Sequence, residues 1–221
     1  MKISAINGSP KIRKSLSGKI IGQIKKRVGG QIKTWHAAKL VESETPPETL
    51  AEILDADILL LVFPLYIDGM PAPLIEFLVR LEGVAGGKQE KPLVYTIVNC
   101  GFFESNQTAI ALEMAECFAN RAALPWGYGL GIGGGPVLSG MGEQWGKWPV
   151  KGIDRTLSKM ADAIRDKTTG KNEFAEPGFP RFFHKVISNR AFHKAVKKRG
   201  AQARARPYMA EQLNAEKKPY I

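Results

Sequence analysis

The sequence predicts a doubly wound α/β fold, with a five-stranded parallel sheet covered by helices on both faces. Three observations carry that expectation. Short apolar runs of strand length alternate with stretches of helical period through residues 1–166. The run Asp57 to Phe63 has no polar alternation, as a central parallel strand buried on both faces requires. Each strand leads into a helix, and right-handed crossovers between parallel strands then place helices on both sides of the sheet.

The elements follow in order. Ile3 to Ile6 is a short strand that ends at the turn Asn7-Gly8-Ser9-Pro10. Leu16, Ile20, Ile21, Ile24 and Val28 then form one helical face, which Gly29-Gly30 stops. Gln31 to His36 is the second strand. Pro46-Pro47 opens a weak helix through Leu50, Ile53 and Leu54. Asp57 to Phe63 is the third strand, and Leu74, Ile75, Leu78 and Leu81 mark the helix after it. Pro92 to Asn99 is the fourth strand, followed by an Ala-rich helix from Thr108 to Ala123. Trp126 to Ile132 is the fifth, and Val150, Ile153, Leu157, Met160 and Ile164 give the last helix a clear apolar face.

The 221 residues carry a formal charge of +11, unevenly placed. Residues 167–221 hold 13 Lys and Arg against 4 Asp and Glu, so the basicity belongs to the C-terminal quarter. Cys100 and Cys117 form no Cys-x-x-Cys pair, and the three histidines are scattered. That pattern argues against a metal or iron–sulfur centre and against a disulfide framework. The N-terminal apolar run is too short for a secretory signal, and Ile58 to Leu65 is far below a membrane-spanning length. A cytoplasmic protein is expected.

In doubly wound sheets ligands bind beyond the carboxyl ends of the strands. The loop Asn7 to Ser17 joins the first strand to the first helix. It lacks the glycines of a dinucleotide fingerprint and the Gly-Lys-Ser/Thr of a Walker loop. It does offer Ser9, Ser15 and Ser17, the cations Lys11, Arg13 and Lys14, no acid, and a helix N-terminus suited to an anion. The alternative is that Ser15 or Ser17 only caps the helix. Pro64 to Pro73 is a proline-stiffened loop whose Tyr66 and Ile67 suit a flat ring, or else pack on a helix. In the loop Asn99 to Glu104, Gly101 allows close backbone approach and Asn99 offers hydrogen bonds to a heterocycle edge. Cys100, without a histidine in its loop, reads as a packed thiol. The run Gly131 to Pro136 lines the same site or a nicotinamide path, or else is a plain loop; Met141, Trp145 and Trp148 either shield the site or pack between subunits.

Together these three loops resemble those of the NADPH-dependent FMN reductase family. The carrying residues are Asn7-Gly8-Ser9-Pro10-Lys11 with Ser15 and Ser17, Pro64-Leu65-Tyr66-Ile67-Asp68-Gly69-Met70-Pro71, and Asn99-Cys100-Gly101-Phe102. The resemblance covers about residues 1–166. It implies a flavodoxin-like strand order of 2-1-3-4-5, bound FMN, NAD(P)H as reductant, and a homodimer or tetramer. It assigns Ser9, Lys11, Ser15 and Ser17 to the flavin phosphate, Pro64, Leu65, Tyr66 and Ile67 to the ring, and Asn99, Gly101 and Phe102 to its pyrimidine side. Related iron–sulfur flavoproteins carry a cysteine cluster between the second and third strands; His36 to Asp57 has no cysteine here. The implied activity passes reducing equivalents from NAD(P)H through FMN to a small acceptor such as a quinone, a nitroaromatic or a flavin.

A non-enzymatic flavodoxin-like electron carrier is the competing class, although carriers are commonly acidic and this body is slightly basic. A third is a membrane-surface or nucleic-acid module on a degenerate core. Residues 167–221 are expected to be a basic, amphipathic helical extension. Phe179, Phe182, Phe183, Val186, Ile187, Phe192 and Val196 interleave there with Arg181, Lys185, Arg190, Lys194, Lys197, Lys198 and Arg199. Docking on its own body or on a partner subunit is the first reading of this stretch. Contact with an anionic membrane surface is the second, and nucleic acid is supported by charge alone.

Overall fold

The computed structural model describes residues 1–183 other than 43, 87–89 and 143, together with 186, 189, 190, 192 and 193. Strand β3 (Ile58–Pro64) lies at the centre of a parallel sheet. β1 (Lys2–Asn7) and then β2 (Gln31–His36) extend it on one side; β4 (Leu93–Asn99) and β5 (Trp126–Ile132) extend it on the other. The order 2-1-3-4-5 is the expected one, and the fold is flavodoxin-like. Every pairing is parallel, so all the strands end on the same side of the sheet.

The apolar run of β3 is explained by its surroundings. Ile58, Leu60 and Val62 join one core cluster and Leu59, Leu61 and Phe63 the other, all six fully buried. The first cluster packs under α1 (Leu16–Val28) and α7 (Lys151–Asp166) through Ile20, Ile24, Leu157 and Met160. The second packs under α3 (Pro47–Leu54), α4 (Ala72–Ala85) and α5 (Ala109–Arg121) through Ile53, Phe77, Leu81 and Leu112. Arg27 and Asp154 pair across α1 and α7, and Arg27 Nε also donates to Ser158 Oγ at 3.1 Å. Tyr95 reaches from β4 to the end of α7, where its hydroxyl lies 2.6 Å from the Thr168 carbonyl; burial raises this phenol to about 12.

Three features differ from expectation. The sheet has a sixth strand, β6 (Glu173–Ala175), paired in parallel with β5. It arises in a stretch assigned to the extension because three residues, Glu-Phe-Ala, carry no periodicity to read. Two short helices, α2 (Ala37–Glu42) and α6 (Gly135–Gly140), were also unpredicted. Six residues are too few to show a helical face, and Gly-Pro at the start of α6 has poor intrinsic propensity.

The chain divides into two compact units, Met1–Phe179 and Pro180–Ile221. In the second unit the described residues 181–183, 186, 189, 190, 192 and 193 are helical, and Phe182, Phe183, Val186 and Phe192 are exposed. Phe179 is instead buried in the first unit. Lys185, Ile187, Lys194 and Val196 to Arg199 of the expected amphipathic face lie outside the described residues. Among the described residues, no helix is long and apolar enough to cross a membrane.

Leu60 tests the central strand. Leu60→Ala removes a fully buried side chain and should lower unfolding stability by about 2–5 kcal/mol, measured by urea denaturation.

Candidate functional site

Two strands end in asparagine, and both side chains are bonded to the first turn of α1. Asn7, closing β1, donates from Nδ2 to Ser15 Oγ at 3.2 Å. Asn99, closing β4, donates from Nδ2 to Ser17 Oγ at 3.1 Å and to the Phe63 carbonyl at 2.9 Å. Both asparagines are buried, at 3% and 4% exposure, so these amides need their partners. Ser15 is the N-cap of α1 and accepts from Gly18 N at 3.1 Å. Ser9 N donates to Asn7 Oδ1 at 3.1 Å, and Ser9 Oγ accepts from Lys11 N at 3.2 Å. The loop leaves β1 through Gly8, where a Cβ would stand 2.8 Å from Phe63 Cβ and 2.7 Å from Leu74 Cδ2. Only glycine allows that approach.

Capping does not exclude anion binding, because a hydroxyl both accepts and donates. In Ser15 both lone pairs are taken, one by Gly18 N and one by Asn7 Nδ2. Its proton must therefore point away from both. Among the described residues, none of Ser9, Ser15 and Ser17 donates its proton to another protein group. The first turn of α1 contains no acid, and its leading amides have no intrahelical acceptor. Lys11, Arg13 and Lys14 are exposed on the loop above. A cleft of about 300 Å³ opens here, lined by Asn7, Ser15 and Gly18 together with Lys14, Lys19 and Lys26. Ser17 is the least accessible of the three serines at 1%. A hollow of about 510 Å³ lies at the opposite, amino ends of β1 and β2. Its lysines are neutralised by the pairs Lys2–Asp55 and Lys33–Glu52, so it presents no unbalanced charge.

The loop after β3 is joined to β4 by Leu65 N donating to the Asn99 carbonyl at 2.8 Å. Tyr66 and Gly69 then exchange two backbone bonds around Ile67 and Asp68, whose φ values are 49° and 57°. This is a type I′ turn, which normally takes Asn-Gly. A β-branched Ile in the left-handed region is strained, and here its side chain is fully exposed. Pro64 and Leu65 are half-buried at the base of the loop, while Tyr66 is half exposed. Gly101 and Phe102 are exposed on the neighbouring loop, and a Cβ on Gly101 would meet no atom within 4 Å. Protein packing therefore does not explain this glycine. Both Nδ2 bonds of Asn99 are made within the protein, so Oδ1 is what it retains for a ligand.

The glycine run after β5 is closely packed. A Cβ on Gly133 would stand 2.1 Å from the Phe103 carbonyl oxygen. Gly133, Gly134 and Gly135 donate to the carbonyls of Ala175, Phe102 and Cys100, which joins the loops after β4, β5 and β6. Glu176 completes the seam by accepting from Ser105 N at 2.8 Å and Ser105 Oγ at 3.0 Å. Trp145 is buried in the core, whereas Trp148 is exposed. Cys100 is 3% exposed, its Sγ lies 3.7 Å from the Phe102 and Glu104 carbonyls, and burial raises the thiol to about 11. Among the described residues, no group of three His, Cys, Asp or Glu is placed to hold a metal ion.

Sequence reasoning missed Glu176 and His36. His36 closes β2 opposite Asn7, and its Nε2 lies 3.1 Å from Asn7 Nδ2. A lone histidine 29 positions from its partner gives no local signal.

No protein-family model matches the chain, and no curated protein matches its sequence. Solved structures do resemble it. An NAD(P)H:quinone oxidoreductase from Methanothermobacter marburgensis aligns with a TM-score of 0.54 at 17% identity, over 76% of this chain and 96% of that one. A flavone reductase aligns with a TM-score of 0.55 at 13% identity, over 100% and 99% of the two chains. A Streptococcus pneumoniae flavodoxin aligns with a TM-score of 0.52 at 12% identity, over 76% and 100%. At these identities the likeness establishes the flavodoxin-like fold.

The two thiols should separate chemically. With Cys100 buried and raised to about 11, its reactive thiolate is scarce at pH 7.5, whereas Cys117 is exposed. Brief iodoacetamide treatment of the native protein should modify Cys117 alone, read by peptide mass spectrometry, and Cys100 should react only after unfolding.

Proposed function

We propose that the chain is an FMN-dependent oxidoreductase that passes reducing equivalents from NAD(P)H to a small acceptor. The observation that carries this reading is the acid-free N-terminus of α1, with Ser9, Ser15 and Ser17 on the loop and turn that form it and no described protein group accepting their hydroxyl protons. A phosphate monoester, with up to two negative charges and several acceptor oxygens, fits that donor set.

In this reading Ser9, Ser15 and Ser17 donate to the phosphate, and Lys11 adds a solvent-screened charge. Pro64 and Leu65 form the base of a ring site. Tyr66, Ile67 and Phe102 supply exposed apolar surface, Gly101 leaves room for close approach, and Asn99 offers Oδ1. FMN, when bound, supplies the electron-transfer chemistry, while the protein binds and orients it. The names of two similar structures, an NAD(P)H:quinone oxidoreductase and a flavone reductase, support a nicotinamide reductant and a small aromatic or quinone acceptor, while the similar flavodoxin fits the carrier alternative. A homodimer or tetramer belongs to the same proposal, with light scattering as its measurement.

Flavin titration by fluorescence quenching tests the phosphate site. A hydrogen bond to a charged partner is worth about 1.5–3 kcal/mol. Ser9→Ala and Ser15→Ala should therefore each weaken FMN about tenfold to a hundredfold. Riboflavin, which lacks the phosphate, should bind these variants as it binds the wild type. Ser15→Ala should also cost about 1 kcal/mol of stability through the lost cap, so the riboflavin control separates the two effects. Equal losses for both ligands would reduce these serines to structural roles. NADPH oxidation by the FMN-loaded protein, with and without a quinone, then distinguishes an enzyme from a carrier.

A further inference from the structure

The Asn7 side chain has no spare capacity. Its Oδ1 accepts from Ser9 N at 3.1 Å. The Ser9 amide can only donate, so the orientation of the Asn7 amide is determined. Nδ2 must then face outward, and it meets two groups: Ser15 Oγ at 3.2 Å and His36 Nε2 at 3.1 Å. A donor facing Nε2 requires that this nitrogen be an acceptor. His36 is accordingly neutral, with its proton on Nδ1, a buried atom that has no hydrogen-bond partner among the described residues.

From this geometry we infer that His36 is a positioning residue that holds the 7–15 loop in its anion-binding shape while neutral and releases it on protonation. The inference rests on the phosphate-site reading proposed above. A proton on Nε2 would set N–H against N–H. Turning the Asn7 amide over would satisfy His36 but set Nδ2 against the Ser9 amide. Either arrangement breaks at least one bond of the loop. The coupling follows from saturation of a single amide.

The surroundings favour the neutral ring. His36 lies between β1, which presents the uncharged Asn7, and α2, which carries Lys39 and, at its far end, Glu42. The loop above contributes Lys11, Arg13 and Lys14 and no acid. Burial and the Lys39 charge hold the imidazole below its usual range, and the Ile12 carbonyl opposes them by favouring the ring proton. The effect on anion binding therefore develops as pH falls below the ordinary histidine range.

Electrostatics alone predicts the opposite sign, since a cationic His36 would attract phosphate. That added charge joins three exposed cations already on the loop and is screened by salt. Loss of a hydrogen bond in the loop that orients Ser9 and Ser15 is the larger effect.

The test has two arms. In the first, FMN and riboflavin are titrated into wild type and His36→Gln from pH 7.5 to 5.0. The glutamine amide offers an acceptor oxygen to Asn7 but does not titrate. The FMN phosphate takes up a proton near pH 6, and this affects both proteins alike. The ratio of wild-type to variant Kd for FMN should rise about fivefold to tenfold across the range, as loss of about one hydrogen bond implies, with the riboflavin ratio flat. A constant FMN ratio, or one that falls, overturns the inference.

The second arm uses nitrogen-15 spectra of the wild type and needs no flavin. At pH 7.5 His36 should carry its proton on Nδ1. The Ser9 and Gly18 amide shifts should move with the midpoint of the His36 ring. An Nε2–H tautomer, or loop amides indifferent to that midpoint, overturns the inference even if His36→Gln does not fold. Absence of FMN binding at every pH would sink the phosphate-site reading and leave this arm decisive for the His36 strut.

Discussion

The site depends on how α1 is held at the carboxyl edge of the sheet. Two asparagines, one at the end of β1 and one at the end of β4, bond to the N-cap serine of the helix and to a serine in its first turn. β3 lies between those strands, and Asn99 also bonds the Phe63 carbonyl within it. A helix resting only on Ile20, Ile24 and Val28 could slide, because apolar packing has no direction. The two amides give it a register. They are buried, so a lost partner leaves an unsatisfied polar group at a cost of about 1–3 kcal/mol.

The same economy shapes the neighbouring loops. Each serine near the helix N-terminus accepts one or two bonds from the protein and keeps its proton, so the framework that fixes its position leaves its donor available. Glycine recurs for two distinct reasons. At Gly8 and Gly133 the protein leaves no room for a side chain, whereas at Gly101 the space beside the backbone is empty. The first kind holds the fold together, and the second leaves a face open.

Much of this was legible in the sequence. The unbroken apolar run Ile58 to Phe63 announces a strand buried on both faces, and the strand order follows from the resemblance carried by the loops. The positions of Ser9, Ser15, Ser17 and Asn99 at the carboxyl edge follow from the same pattern. What they bond to was not legible, since the partners of Asn99 lie 36 and 82 residues away. The role of His36 was hidden for the same reason. The turn at Ile67-Asp68 was hidden because its residues contradict the usual preference, which a rigid surrounding loop overrides. Strand β6 was missed because three residues have no period, and it is recognised only through its partner β5.

The seam closed by Glu176 has a consequence for the order of assembly. Ser105 waits for a carboxylate 71 residues further along the chain. As the chain emerges during synthesis, β1, β3 and β4 can pair and α1 can dock while Glu176 is still to be made. The edge carrying the loop from Asn7 to Ser17 thus acquires its framework early. The loop that follows β4 remains untethered at Ser105 until β6 joins the sheet, so the two halves of the candidate site mature at different times.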